Sequence, residues 1–273
     1  MGVQRCYTNA HMKAVRIIIN VVAAVTLAMT FIGAGFAVCT MPPVTHGLSW
    51  VFSDDATSPF DRNQLAKVAD ATREYSFGDH DLLKLYQVIY EVDIEYRDNV
   101  GYSAASTTGA GFPRVDQVSD TTSVQQLRSA FDGASELYCY SQDTIKHLDD
   151  CYNLARFANP LIIASIILAL ASLVFTGVTG GRKRLGAALL GAGAVVIVAF
   201  VGLGVWAAID FQGFFAAFHQ LFFSQGNWQF PYDSLLICAL PTAFWASMGA
   251  VWLLVSLVLS VLAIVIGRKL VRK

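Results

Sequence analysis

The chain has 273 residues, of which 55% are hydrophobic and 14% charged, and its formal net charge is −1. That is too apolar for an ordinary soluble domain, while the near-neutral balance by itself points to no partner and gives no reason to expect nucleic acid.

Four apolar runs have the length of membrane helices: about 15–38, 161–178, 185–209 and 243–266. A helix needs roughly 20 residues to cross the hydrocarbon core at about 1.5 Å per residue. The first run exceeds the about 7–15 residue core of a signal peptide, and Val38 stands where a lipoprotein cleavage box has a small residue before its cysteine. A retained anchor is expected.

The long segment that follows reads as helices and loops. His46 falls in a Pro-rich loop without evident polar company. Asp61 with Gln64 resembles a capping box that opens a helix to about Tyr75. Gly78-Asp79 opens another, with Leu82, Leu85, Tyr86, Ile89 and Tyr96 at helical spacing and His80 in a capping position. Tyr102 to Ser119, rich in Gly, Ser, Thr and Ala, predicts an exposed loop. Thr122 with Gln125 restarts a helix to about Tyr138, and Ser141 caps a last one running toward Asn159-Pro160.

The basic residues set an orientation. Arg5, Lys13 and Arg16 flank the first run; Arg182, Lys183 and Arg184 join the second and third; Arg268, Lys269, Arg272 and Lys273 follow the fourth. None of the 20 acidic residues lies at these three places. The positive-inside rule therefore predicts this order: cytoplasmic 1–14, span 15–38, an outer helical domain 39–158, span 159–178, a cytoplasmic turn 179–184, span 185–209, an outer interfacial loop 210–242, span 243–266 and a cytoplasmic tail 267–273. The fold class is an all-α polytopic membrane protein. No ionisable side chain occupies the middle of a span, which argues against a transporter, and the glycines of the third span favour close packing.

Five cysteines give no Cys-x-x-Cys pair and no zinc or redox signature. A Cys139–Cys151 disulfide is chemically permitted in an exported domain, and spacing alone leaves it open. Among the five histidines, His11, His46 and His80 read as structural. His147 has Asp143 and Asp150 on its helical face, so a carboxylate can hold one ring nitrogen. A solvated His–Asp pair fits that spacing equally well. His219 sits between Phe215 and Phe222 in an aromatic segment of the kind enriched at membrane surfaces, where it could be a mere anchor. Spans two and three form a hairpin, so both imidazoles should emerge at one surface as an acid–base pair.

The block Phe218-His219-Gln-Leu-Phe222-Phe223, with Trp228-Gln-Phe230, Leu235-Leu236-Ile237 and Pro241-Thr-Ala-Phe244, resembles the closing signature of the bacterial lipoprotein intramolecular transacylases. His147-Leu148-Asp149-Asp150-Cys151 is similar to a second motif of that family, His-Met-x-Asp-Val. The resemblance implies four spans and an acyltransferase acting on diacylglyceryl-modified lipoproteins. Its reaction moves the sn-2 acyl chain to the α-amine of the lipoprotein's own N-terminal cysteine and gives the N-acyl lyso-form. It implies a bacterial cytoplasmic membrane as location, membrane lipid and lipoproteins as partners, and no cofactor or metal. His147 is then the expected base, oriented by Asp150, and His219 the proton donor or oxyanion stabiliser, with the roles exchangeable. Trp228 and Asp233 are expected supports. Two rivals are a metal-dependent membrane hydrolase with His147, His219 and a carboxylate as ligands, and a non-catalytic sensor or assembly protein. Chelator sensitivity marks the first; indifference to loss of both histidines marks the second.

Overall fold

The computed structural model describes residues 2–101, 122–131, 133–223 and 226–272, and of residues 2–11, 127, 128 and 130 the backbone alone. The expected loop Tyr102–Ser119 lies outside the described residues, as do the side chains of Arg5, Cys6 and His11. The described residues contain helices and no strand. In order these are α1 (Gly2–Cys39), α2 (Pro42–Phe52), α3 (Arg62–Phe77), α4 (Leu82–Val100), α5 (Val124–Phe131), α6 (Gln142–Ile209), α7 (Phe211–Phe222), α8 (Leu235–Ala239) and α9 (Thr242–Arg272). They form two compact units: one of 1–38, 157–214 and 250–273, the other of 39–156 and 215–249.

The first unit is a bundle of apolar helices. Among the described residues, three helices are long and apolar enough to cross a membrane, Met12–Cys39, Gln142–Ile209 and Thr242–Arg272. The second and third runs of the sequence lie together on α6, whose 68 residues would extend about 100 Å if straight. It is not straight. Gly181 has φ 72° and ψ −179°, outside helical geometry, and divides α6 into two arms. A positive φ suits glycine because it has no Cβ to collide with the backbone. The break falls within the 179–184 stretch expected as a turn.

Small residues let the helices of this unit touch. A Cβ at Gly33 would stand 2.8 Å from Ile162, one at Gly186 2.7 Å from the Gly267 carbonyl, and one at Gly193 2.6 Å from the Ser260 carbonyl. Leu27, Ala28, Ala169, Ala192, Val196 and Phe200 make the shared core. Between α9 and α1, Trp252 Nε1–H donates to the Ile32 carbonyl at 2.8 Å, and the Ser256 hydroxyl to that of Phe31 at 3.3 Å. The outward faces stay apolar, with Val178 81% and Ile209 80% exposed. Such surfaces are stable in lipid and costly in water.

The second unit is built from capped helices. Asp61 and Gln64 form the expected capping box on α3, Asp61 accepting from the Asn63 and Gln64 amides. Helix α4 begins later than expected. Asp81 is its cap, because Gly78 already terminates α3 and His80 adopts a left-handed φ of 58°. Helix α5 is shorter than expected and one residue displaced, with Ser123 and Gln126 paired at its start. His46 is not in a loop. Pro42 opens α2, where a missing amide hydrogen costs nothing, and His46 bonds Asp70 at 2.7 Å.

The segment after Asp210 is equally ordered. Asp210 caps α7 by accepting from the Gly213 amide at 2.8 Å, and Ser234 caps α8. The Leu235 amide donates to the Glu136 carbonyl, the Ser49 hydroxyl to that of Ala239, and the Asp54 amide to that of Cys238. Segments far apart in sequence thus share one core around Leu65, Tyr86, Ile89, Leu235 and Phe244.

Candidate active site

His147 and His219 both belong to the second unit, one on α6 and the other on α7. Ser141 sets the first turn of α6 by accepting from the Thr144 amide at 3.3 Å, which fixes the helical phase of His147. The two imidazole centroids lie 6.1 Å apart with planes 28° from parallel. Phe223 stands beside both, at 4.8 Å from His147 and 5.6 Å from His219. Phe230 lies 5.7 Å from His147; Phe215 and Trp228 lie 4.0 and 4.9 Å from His219. Phe223 rather than the expected Phe222 is the downstream neighbour of His219. A cleft of about 350 Å³ is lined by Gln220, Phe223, Gly226, Trp228 and Gln229, so that Phe223 and Trp228 stand between it and the imidazoles.

The aromatic walls decide the charge of both rings. His147 is 8% exposed, and burial, with His219 adding to it, pushes it from its ordinary 6.5 down to about 4. The charge of Asp150 acts the other way without cancelling this. Burial lowers His219 as well, opposed by its bond to the Phe215 carbonyl. Taking an imidazolium from water into apolar surroundings disfavours the charged form. Both rings are therefore neutral near pH 7.

Their nitrogens are not equivalent. His219 Nδ1–H donates to the Phe215 carbonyl at 2.8 Å, since a carbonyl can only accept, and Nε2 carries the lone pair. In His147, Nε2 is 3.7 Å from Cys151 Sγ and Nδ1 is buried without a partner.

The expected supports divide. Trp228 walls His219 and lines the cleft. Asp150 does not bond the imidazole; it accepts from the Asn227 amide at 3.0 Å and reaches His147 through its charge. Asp143, also expected on that face, pairs with Lys146 at the exposed surface. Asp233 precedes the cap of α8, and the effect of its charge falls on Cys238 rather than on either imidazole. Cys139 and Cys151 are unbridged thiols. His80, read as a capping residue, instead lies between the rings of Tyr75 and Tyr152 at 4.2 and 3.8 Å, with Asp149 3.5 Å from Nε2. Among the described residues, no three His, Cys, Asp or Glu side chains gather as a metal site.

Asn227, Phe223 and Cys151 were missed as site residues by spacing arguments. Asn227 lies 77 positions from Asp150, and no local pattern announces such a contact. Cys151 was within reach: it follows His147 by four residues, the separation that stacks side chains on one helical face.

Residues 118–245 match the family model described as lipoprotein intramolecular transacylase Lit, a stretch that includes both histidines. The matched stretch is just under half of the chain, and over it the chain resembles the lipoprotein intramolecular transacylases. The solved membrane-integral transacylase of this name from Bacillus cereus has the same fold, with 18% identity over 96% of this chain and 97% of that one and a TM-score of 0.66. A form of it with one histidine replaced by arginine matches at 17% identity over 100% of this chain and 97% of that one, with a TM-score of 0.61. A form with a histidine replaced by alanine matches at 20% over 98% and 97%, with a TM-score of 0.52. No curated protein matches.

Proposed function

We propose that this chain is a multi-pass enzyme of a bacterial cytoplasmic membrane that transacylates diacylglyceryl-modified lipoproteins. The sn-2 acyl chain moves from glycerol oxygen to the α-amine of the lipoprotein's own N-terminal cysteine, leaving an N-acyl lyso-form. The observation that carries this reading is the convergence of two neutral imidazoles, 6.1 Å apart, beside a cleft walled by Phe223 and Trp228. The family match supplies the substrate class.

In the reaction an N–C bond forms at the ester carbonyl, the C–O bond to glycerol breaks, and one proton passes from nitrogen to oxygen. Nothing is consumed, and no cofactor is needed. Amine and ester belong to one molecule, so holding them together replaces a protein nucleophile; such intramolecular placement can reach effective concentrations of about 10⁵–10⁸ M. His147 takes the proton of the attacking amine through its unpaired Nδ1, and the charge of Asp150 favours the imidazolium that forms. His219 steadies the oxyanion or returns the proton to the departing oxygen, and the pair ends as it began. The aromatic walls keep water from competing with the amine for the ester.

The chemistry requires an exported site, because lipoproteins carry their lipid at the outer face. Spans at 15–38, 159–178, 185–209 and 243–266 with cytoplasmic termini meet that requirement, and the basic flanks favour them. With native cysteines removed, Ala56→Cys should react with an impermeant thiol reagent in intact cells and Lys269→Cys should not; the opposite labelling would invert the topology. Mass spectrometry of lipoprotein N-termini, with and without the protein, tests the activity. The N-acyl lyso-form should appear only with it.

A further inference from the structure

Among the half-buried and buried groups that the proposed reaction leaves idle, Cys151 lies beside His147. It follows His147 by one helical turn, and its Sγ is 3.7 Å from His147 Nε2. Burial, with the charge of Asp150 adding to it, pushes the thiol up to about 12, so it stays protonated. A thiol is a weak partner that can donate or accept. The neutral His147 ring has two forms. With its proton on Nδ1, a buried N–H has no acceptor; with the proton on Nε2, the N–H points at sulfur and only a lone pair is unpaired. Orphaned buried N–H groups are the rarer arrangement in native proteins, so the second form is favoured.

We propose that Cys151 is a positioning residue for His147: its sulfur receives Nε2–H, fixes the tautomer and rotation of the ring, and leaves the lone pair on Nδ1. The catalytic half of this rests on the transacylase reading above. His219 is held in the complementary way, by Nδ1 on the Phe215 carbonyl, so each ring has one tethered nitrogen and one that carries a lone pair. A carboxylate in place of the thiol would stabilise the imidazolium and retain its proton. Sulfur does so only weakly, and the nearby carboxylate, Asp150, is engaged by Asn227. The motif that this stretch resembles has valine at the position of Cys151, which makes the thiol contact a feature of this chain.

The test uses the full chain in lipid nanodiscs with ¹⁵N-labelled histidine, the His147 signals being assigned by their loss in His147→Gln. Transacylation of a diacylglyceryl lipopeptide is measured in parallel near pH 7, where His219, Asp150 and Cys151, the titratable groups facing His147, keep their stated charges. Wild-type protein should show the proton on Nε2. Cys151→Val should give mixed tautomers and lower kcat with KM unchanged, by roughly three- to tenfold, the worth of one weak hydrogen bond. Cys151→Ser should restore both. A wild-type tautomer in Cys151→Val, a wild-type kcat there, or failure of Cys151→Ser to restore either overturns the proposal. Absence of lipopeptide turnover by the wild type would instead defeat the transacylase reading, while the spectra would still decide what Cys151 does to the ring.

Discussion

The two units of the molecule differ in where most of their polar side chains find partners. In the apolar bundle, Thr26, Thr30, Ser172 and Ser260 donate to carbonyls of their own helices, three or four residues back. In the second unit, polar side chains reach across the sequence: Thr72 to Tyr140, Tyr75 to Asp149, Asn227 to Asp150. Hydrocarbon offers a hydroxyl no partner, so hydroxyls of the bundle bond within the protein, mostly to their own helix and in Ser256 to the Phe31 carbonyl of α1. A unit with its own core can instead hold an imidazole beside aromatic rings with one nitrogen unpaired. The bundle presents an apolar surface; the second unit holds the imidazole pair.

Removing either histidine should break this contrast most severely. Positioned acid–base groups contribute about 10²–10⁴-fold, so His147→Ala and His219→Ala should each nearly abolish the lyso-form while the protein still accumulates in the membrane. The double variant should be little worse than either single one, because the two rings serve one proton transfer. Lyso-form made at the normal rate by either variant would return that histidine to a structural role. A chelator should leave the wild-type rate unchanged.

Acid should weaken the second unit through the same burial. His147 binds a proton near 6.5 when unfolded and near 4 when folded, so above about pH 6.5 it contributes nothing to pH dependence. Between those values the unfolded chain takes up a proton that the folded chain refuses, and stability falls by up to about 3 kcal/mol as pH drops. Asp93 acts oppositely. Its burial, only partly offset by Arg97, raises it from 3.8 to about 6, so it favours the folded state as pH falls through that interval. The two partly cancel in the wild type. His147→Gln removes one of them, and its thermal stability should therefore rise relative to wild type from pH 6.5 to pH 4. Parallel melting curves for the two proteins across that range would refute the burial argument.

What could be read from the sequence follows the same division. The apolar runs and the Asp61–Gln64 box were legible because both are signals of local spacing. Hydropathy alone could not decide that two runs share one helix broken at Gly181, since the break depends on a backbone angle. The start of α4 was misplaced because Gly78 and Asp79 read as an opening, whereas the backbone spends Gly78 on ending α3. The nearness of the two histidines was legible through their motifs and the spacing of the spans. The partner of Asp150 was not, because a carboxylate one turn from an imidazole can be captured by a distant residue.

Packing in the bundle offers a smaller effect with an internal control. Gly193→Ala would put a methyl group 2.6 Å from the Ser260 carbonyl and from Ile264, so backbone must move, at about 1–3 kcal/mol. Gly202→Ala meets nothing within 4 Å and should be neutral or stabilising, since glycine inside a helix costs about 0.5–1 kcal/mol relative to alanine. Equal melting temperatures for the two variants would mean that these helices do not pack as described.

The smallest effect should come from Asn227, and it asks whether Asp150 acts on His147 by charge alone. The Asn227 amide donates to Asp150 at 3.0 Å, and no bond joins that carboxylate to the ring. Asn227→Ala leaves the charge in place and removes the donor that restrains it. An unrestrained carboxylate sharing this environment should turn toward the nearest positive charge to form, which is the imidazolium of His147. The pKa of His147 should then rise by several tenths of a unit, each unit being about 1.4 kcal/mol, and kcat should fall a few-fold because the ring holds its proton longer. Asp150→Asn removes the charge and should move the His147 pKa the other way. Ring titration by ¹⁵N spectroscopy in both variants reads the two directions separately. Shifts of the same sign, or none, would show that Asp150 holds the loop of Asn227 in place and has no part in tuning the imidazole.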